Sequence, residues 1–483
     1  MQRPVPILVI TALSGLGILG LAATATSRDL IWPLLQAGMA VAVLATFMAL
    51  RQRGRRNASE FFDVGTLFLS IAFLYTFIPL ANFVWADGVY SHKGDSRMLT
   101  LQPSPELVAR VGWHYLLFMS AFAAVYWKSQ RAFNEPSAPL PKAPHSGFLF
   151  WMIALYVACQ SAFMFLKVQY GLTADSYLES YRVYQEVPLF LQQSMAWLTG
   201  FIRIVEIGIL ACFFSRYDRY RVVVWIWIAV IAIATFMRLH ARTDLMIAVG
   251  SSVFLYHVFV RQVRLGRLTV IGLTTILAFQ VLGVLRGLGG HVDDLNTREL
   301  VNSGSEFENV FGNAIHVLTL GDGGQLLMPR LNWYLSELAI LVPQQLLPFA
   351  KIDPSIWYVQ SFFPRYAAMG GGYAWGAIAQ SVVGFGLLEA ALRGGLLAVA
   401  LAALDRFLRR RWARLEYVAI YAWLMATIYL SMRDVTFEFV HGVAYFVAPW
   451  LLACNVIDRV TSRDHGVLKH DTIVRAIRRT DTR

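Results

Sequence analysis

Apolar windows long enough to cross a bilayer recur along the whole chain, beginning near Val5, Leu30, Phe61, Val111, Phe148, Ala196, Val222, Asp244, Leu268, Gly376, Tyr417 and Phe437. A hydrocarbon core of about 30 Å needs about 20 helical residues. Inside lipid every backbone group must be satisfied by its own segment or by a closed barrel, and continuous apolar runs without alternation choose the helix. The pattern predicts an all-α polytopic membrane protein of about twelve spans, a single domain over 1–483. Only 15% of the 483 residues are charged and mean hydropathy is +0.52, which excludes a soluble domain. The first window is followed by no convincing cleavage site and reads as a retained span.

Alternating the loops across the membrane divides the basic residues unevenly. One side collects 26, in groups such as Arg51, Arg53, Arg55, Arg56 and Arg406, Arg409, Arg410, Arg411, Arg414; the other collects 14. Basic residues in short loops mark the cytoplasmic face. Both termini are therefore expected in the cytoplasm of a bacterial inner membrane. The +12 net charge follows from topology and calls for no nucleic-acid partner. The tail 459–483 is polar and basic, suited to anionic headgroups. Cys159, Cys212 and Cys454 fall in or beside apolar spans, have no ligand spacing and read as packing residues.

Between Arg286 and Trp375 the spans give way to a long segment on the predicted outward face. Long connections in compact folds are seldom passive. Two stretches within it have helical spacing: Ser305 to Leu320, with Phe307, Val310, Phe311, Ala314, Ile315 and Leu318 on one side, and Leu331 to Leu347, with Trp333, Leu335, Leu338, Ile340 and Leu341. Each is either an amphipathic helix lying in the interface or a helix packed onto the bundle.

Six arginines fall on this outward face against the topological bias: Arg182, Arg238, Arg242, Arg286, Arg365 and Arg433. Singly, each reads as snorkelling to headgroups or as one partner of a pair with an acid such as Asp244 or Asp434. Jointly they suit a diphosphate, because the guanidinium fork donates two parallel hydrogen bonds to an oxyanion. Arg203 and Glu206 lie three apart in one span and form either an internal pair or a substrate contact. His316 and Glu306 are candidate general bases, with His291 and Glu308 as competitors. Gly370, Gly371 and Gly372 with Gly376 permit close backbone approach, or else a hinge into the next span. Gly384-Phe385-Gly386 reads as a packing notch inside that span. No cluster has metal-ligand spacing, so no metal is implied, and no nucleotide fingerprint or other cofactor signature appears.

The whole pattern, with HARTDLM at His240 to Met246 and the glycine run from Gly370, resembles the O-antigen and exopolysaccharide repeat-unit polymerases (Wzy-type). These stand with the O-antigen ligases among lipid-diphosphate-dependent membrane glycosyltransferases of GT-C-like fold. Arg242 takes the arginine position of the family's Gly-x-Arg-x-x-x-Leu turn. Arg365, with Gly376 after ten intervening residues, takes that of its Arg-ten-Gly motif. The companion motif is absent, Gln193 standing eleven residues after Arg182. Ala374-Trp375-Gly376 occupies the place of the ligases' His-Asn, which favours polymerase over ligase.

The resemblance implies a glycosyltransferase without metal or cofactor that joins polyprenyl-diphosphate-linked oligosaccharide units at the outer leaflet. Its partners would be the lipid-linked glycan and the bilayer, with a chain-length regulator and a flippase nearby. Arg242, Arg286 and Arg365, then Arg182 and Arg433, are the expected diphosphate ligands, and His316 or Glu306 the base. The alternatives are a ligase passing polymer to a lipid core and a flippase or transporter of the lipid-linked glycan.

Overall fold

A computed structural model describes residues 28–54, 63–86, 102–131, 146–170, 187–238, 242–263, 306–324, 330–342, 344–368 and 372–461, besides isolated positions. The described residues contain helices and turns and no strand. Eight helices among them are long and apolar enough to cross a membrane. The chain is an all-helical polytopic membrane protein. The expected spans at Val5 and Leu268 lie outside the described residues or nearly so.

The early helices are α1 (Ile31–Gly54), α2 (Val64–Trp85), α3 (Pro105–Arg131), α4 (Ser146–Gln169), α5 (Leu189–Phe214), α6 (Tyr217–Arg238) and α7 (Arg242–Phe259). The interrupted region supplies α8 (Glu306–Asp322), α9 (Arg330–Leu338), α10 (Pro354–Phe362), α11 (Pro364–Ala368) and α12 (Ala377–Val383). Three long helices follow, α13 (Leu387–Arg409), α14 (Leu415–Arg433) and α15 (Glu438–Thr461).

Local chemistry sets several of these boundaries. Asp63 caps α2 by accepting from the Thr66 amide at 2.9 Å. Asp353 caps α10, accepting from the Ser355 and Ile356 amides, with Pro354 in the first turn where its missing N–H costs nothing. The span expected to begin at Gly376 is displaced. Ala377–Val383 is a separate short helix, Gly384 to Gly386 turn the chain with Gly386 at φ 68°, and the crossing helix begins at Leu387. The Gly384-Phe385-Gly386 notch is thus a helix break. An apolar window cannot register a break made by glycines, because their hydropathy is neutral.

α13 runs against α3, and their backbones meet at Gly394, where a β-carbon would stand 2.2 Å from the Phe118 carbonyl oxygen. Small residues allow such approach where lipid gives helices little hydrophobic reason to associate. The two ends of the bundle differ. At one end Arg51 of α1 pairs with Asp63, Tyr126 of α3 donates to Asp63 at 3.1 Å, and Gln130 donates to Asp405 of α13 at 3.0 Å. Arg409 bonds the same Asp405 at 2.9 Å and Tyr421 of α14 at 3.2 Å. Buried charge is tolerated here because each member has partners.

At the opposite end α8 lies over the helix tips. Glu308 accepts from Asn82 near the end of α2 at 2.7 Å, Asp322 takes both terminal nitrogens of Arg110 at the start of α3, and Glu306 pairs with Arg433 at the end of α14. Val310, Phe311, Ala314, Ile315 and Val317 are buried. The Ser305 to Leu320 stretch is therefore a bundle-packed helix. α9 is two-faced: Trp333 is fully buried, while Leu331 and Leu338 are 71% and 83% exposed. It keeps the apolar outer face expected of an interfacial helix yet is anchored to the bundle. Cys212 and Cys454 are buried and Cys159 half-buried, all three as thiols.

Candidate functional site

The end of the bundle capped by α8 brings together residues from four separate parts of the chain. Arg433 closes α14. Its Nε lies 2.6 Å from Glu306 Oε1, and the two side chains are 33% and 36% exposed. No described residue accepts a hydrogen bond from the two terminal nitrogens of Arg433. The guanidinium is thus ion-paired to one carboxylate at Nε, without hydrogen-bond geometry, and no described residue occupies its fork. Glu306, a candidate base from the sequence, is thus placed in an ion pair with a cation.

Beside the pair stands Gly376, at φ 91°, in a region that L side chains avoid. A β-carbon there would come within 2.5 Å of Val310 Cγ1 on α8 and 3.8 Å of the Met432 carbonyl. The glycine lets the approach to α12 press between α8 and the end of α14. Asn313 of α8 secures the same segment by donating to the Ala374 carbonyl. Tyr75 forms part of the floor, packed edge-on against Phe307 with ring centroids 4.8 Å apart.

Acids surround the arginine. Asp434, in the turn after α14, is half-buried and has backbone angles φ −105° and ψ −102°. Burial pushes its carboxyl up to about 6; Arg433 opposes that rise, while Glu306 and Asp353 add to it. Glu438 begins α15 and stands 3.9 Å from His441. The neighbouring Thr436 is fixed in turn, its amide donating to Gln380 Oε1 at 3.0 Å. Gln380 Oε1 also lies 3.4 Å from Arg393 of α13.

His316 lies farther along α8. Ten residues from Glu306, it is about 15 Å along the helix axis, so the two candidate bases do not share one point. The ring of His316 hydrogen-bonds the Tyr358 hydroxyl through Nδ1 at 2.6 Å and lies among Phe362 and Phe363. An aromatic row continues from Phe363 to Tyr373 and Tyr366, with centroids 5.3 and 4.9 Å apart. Arg365 precedes Tyr366 on α11. It is exposed and has no described partner. Gly372 sits in open space.

Arg182, Arg286, His291, Gly370 and Gly371 lie outside the described residues. Arg242 opens α7, but its side chain, like that of Arg238, is not described. Arg203 and Glu206 are half-buried and line a cleft between α5 and α7 with Ser251. Among the described residues no group of three or more side chains is placed to hold a metal ion. Comparison of the chain with family models, curated proteins and solved structures finds no match.

Sequence reasoning passed over Asn82, Asp353 and Glu438, and it weighed Asp434 only as a partner for arginine. Polar residues at span ends were the available signal. Nothing in the local pattern marks which of them meet.

Proposed function

We propose that the chain is a membrane glycosyltransferase that joins polyprenyl-diphosphate-linked oligosaccharide repeat units on the outward face of a bacterial inner membrane, as in O-antigen or exopolysaccharide synthesis. The observation that carries this reading is the Arg433 guanidinium, ion-paired to Glu306 at Nε, with no described residue accepting from its terminal nitrogens. Such a fork matches two oxygens of a phosphate. In the reaction an acceptor hydroxyl attacks the anomeric carbon of the donor glycan. The new glycosidic bond forms as the bond to the diphosphate breaks, and the electron pair leaves on the diphosphate oxygen. Arg433 stabilises that developing charge. Arg365 is a second free guanidinium, adjacent to the aromatic row whose faces suit sugar rings. The resemblance supports polymerisation over ligation through Ala374-Trp375-Gly376.

The test is elongation of a lipid-linked repeat unit by the purified protein in vesicles, with chelator present. Wild type should make a ladder of products. Arg433→Lys, which keeps the charge and loses the fork, should slow it by about 10²–10³. Product only on an added lipid-core acceptor would select the ligase. Movement of intact lipid-linked units across the vesicle without elongation would select the flippase.

A further inference from the structure

A glycosyl transfer of this kind releases a proton from the acceptor hydroxyl, and the two bases expected from sequence are both committed. Glu306 is ion-paired to Arg433, and His316 is bonded to Tyr358 at 2.6 Å, more than two helical turns away. The carboxyl of Asp434 stands differently. It follows Arg433 directly, on a turn held by the Thr436–Gln380 bond. No described residue donates a hydrogen bond to it. A half-buried carboxylate without a donor is expensive to keep, and that cost is usual at sites that use the group.

Resting on the glycosyltransferase reading, we propose that Asp434 is the catalytic base: its carboxylate accepts the acceptor hydroxyl's proton while the Arg433 fork beside it receives the departing diphosphate. The balance is complete. The hydroxyl oxygen bonds to the anomeric carbon, its proton moves to Asp434, the carbon–oxygen bond to the diphosphate breaks, and its electrons stay on the diphosphate. Proton loss from Asp434 to solvent resets the site, and the group is exposed enough for that exchange. Neighbouring residues bring a base and an oxyanion donor to one short turn, so that a sugar bound between the two side chains would meet both.

Among the described residues, the titratable and charged groups facing Asp434 come from five elements. They are Arg433 and Glu306, Asp353 at the α10 cap, Glu438 on α15 and the Tyr75 hydroxyl on α2. Burial outweighs Arg433, so the folded chain retains a proton that an unfolded carboxyl, near 3.8, would release. Stability from this group is therefore greatest at low pH and declines as pH rises from about 4 through about 6. Activity should run the other way, rising as the base ionises around pH 6.

The experiment compares wild type, Asp434→Asn and Asp434→Glu in vesicles, with a polyprenyl-diphosphate-linked oligosaccharide as substrate, across about pH 5 to 8. The asparagine variant should lose about 10²–10⁴ in kcat with KM little changed, and its residual rate should lack the rise near pH 6. Its melting temperature at pH 7.5 should equal or exceed wild type, because the uncompensated charge is gone. The glutamate variant should recover part of the rate together with a pH-dependent limb, and it decides the matter if the asparagine protein does not fold. Wild-type turnover and pH profile in Asp434→Asn, or a flat profile in a folded and active Asp434→Glu, would overturn the assignment while leaving the polymerase reading standing. Failure of wild type to elongate at any pH would instead remove that reading and this assignment with it.

Discussion

The buried ion cluster around Arg393 should respond unequally to loss of its members, and the order follows from their hydrogen bonds. Arg393 Nη1 and Nη2 hold the two oxygens of Glu337 on α9 at 2.6 and 2.7 Å, and its Nε holds Glu389 at 2.7 Å. The side chains of Arg393, Glu337 and Glu389 are 6%, 15% and 7% exposed. Glu389 has two more donors, the Tyr334 hydroxyl at 2.7 Å and the Phe385 amide at 2.8 Å. No other described residue donates a hydrogen bond to Glu337. One cation thus faces two carboxylates. Arg393→Met strands both acids in a nearly dry site, and breaking a buried pair in this way costs about 3–5 kcal/mol. Glu337→Gln leaves a matched Arg393–Glu389 pair and still offers an acceptor, so its cost is one charge-assisted bond, about 1.5–3 kcal/mol. Arg393→Met with Glu337→Leu should recover part of the single-variant loss, since one stranded charge is removed. Equilibrium unfolding in mixed micelles, followed by tryptophan fluorescence, measures all three. An Arg393→Met variant within about 0.5 kcal/mol of wild type, as an ordinary surface change would be, or a Glu337→Gln variant as costly as Arg393→Met, would refute this order.

Topology is tested by fusing a reporter active only in the periplasm after Asp322 and after Arg264; the first fusion should be active and the second silent, and the reverse pattern would overturn the outward assignment of the site. Gly376→Ala should destabilise by at least about 1–3 kcal/mol, because alanine resists the positive φ and its β-carbon would meet Val310; a neutral result in the same unfolding assay would show that the approach to α12 relaxes freely. Arg365→Lys should shorten cellular polymer at matched expression if its fork binds the diphosphate, whereas normal long chains would reduce Arg365 to a headgroup contact.

Spans were legible in this sequence because about 20 consecutive apolar residues leave lipid few alternatives. Helix α8 was legible for a related reason. Of the stripe read from spacing, Val310, Phe311, Ala314 and Ile315 are buried. Its docking was not legible, because it depends on pairs such as Asn82–Glu308 and Arg110–Asp322, 226 and 212 residues apart. The Gly376 span was misplaced because hydropathy averages over a break that positive-φ glycines impose. Arg242, favoured from its motif-like turn, opens a helix; its side chain lies outside the described residues.

Arginines of the predicted outward side look alike in a sequence, each a charge set against the topological bias. The structure separates those it describes by how many of their nitrogens are already occupied. Arg393, a span residue near that end, spends all three nitrogens on buried acids. Arg110 gives both terminal nitrogens to Asp322 at the surface, where a pair contributes little. Arg365 is exposed and unheld, so a ligand would have to order the whole side chain. Arg433 alone among these four is both held close to a carboxylate by an ion pair at Nε and left with a fork that no described residue occupies. Preorganisation of that sort is what distinguishes a group that stabilises a transition state from one that only attracts an anion, because the ordering has been done before the charge develops. The same accounting applies to the acids: Glu306, Glu337 and Asp322 are each committed to an arginine, whereas Asp434, one residue from the open fork, has no hydrogen-bond donor among the described residues. A carboxylate and an open guanidinium are left over at the same turn, and this coincidence gives the proposed mechanism a definite place to fail.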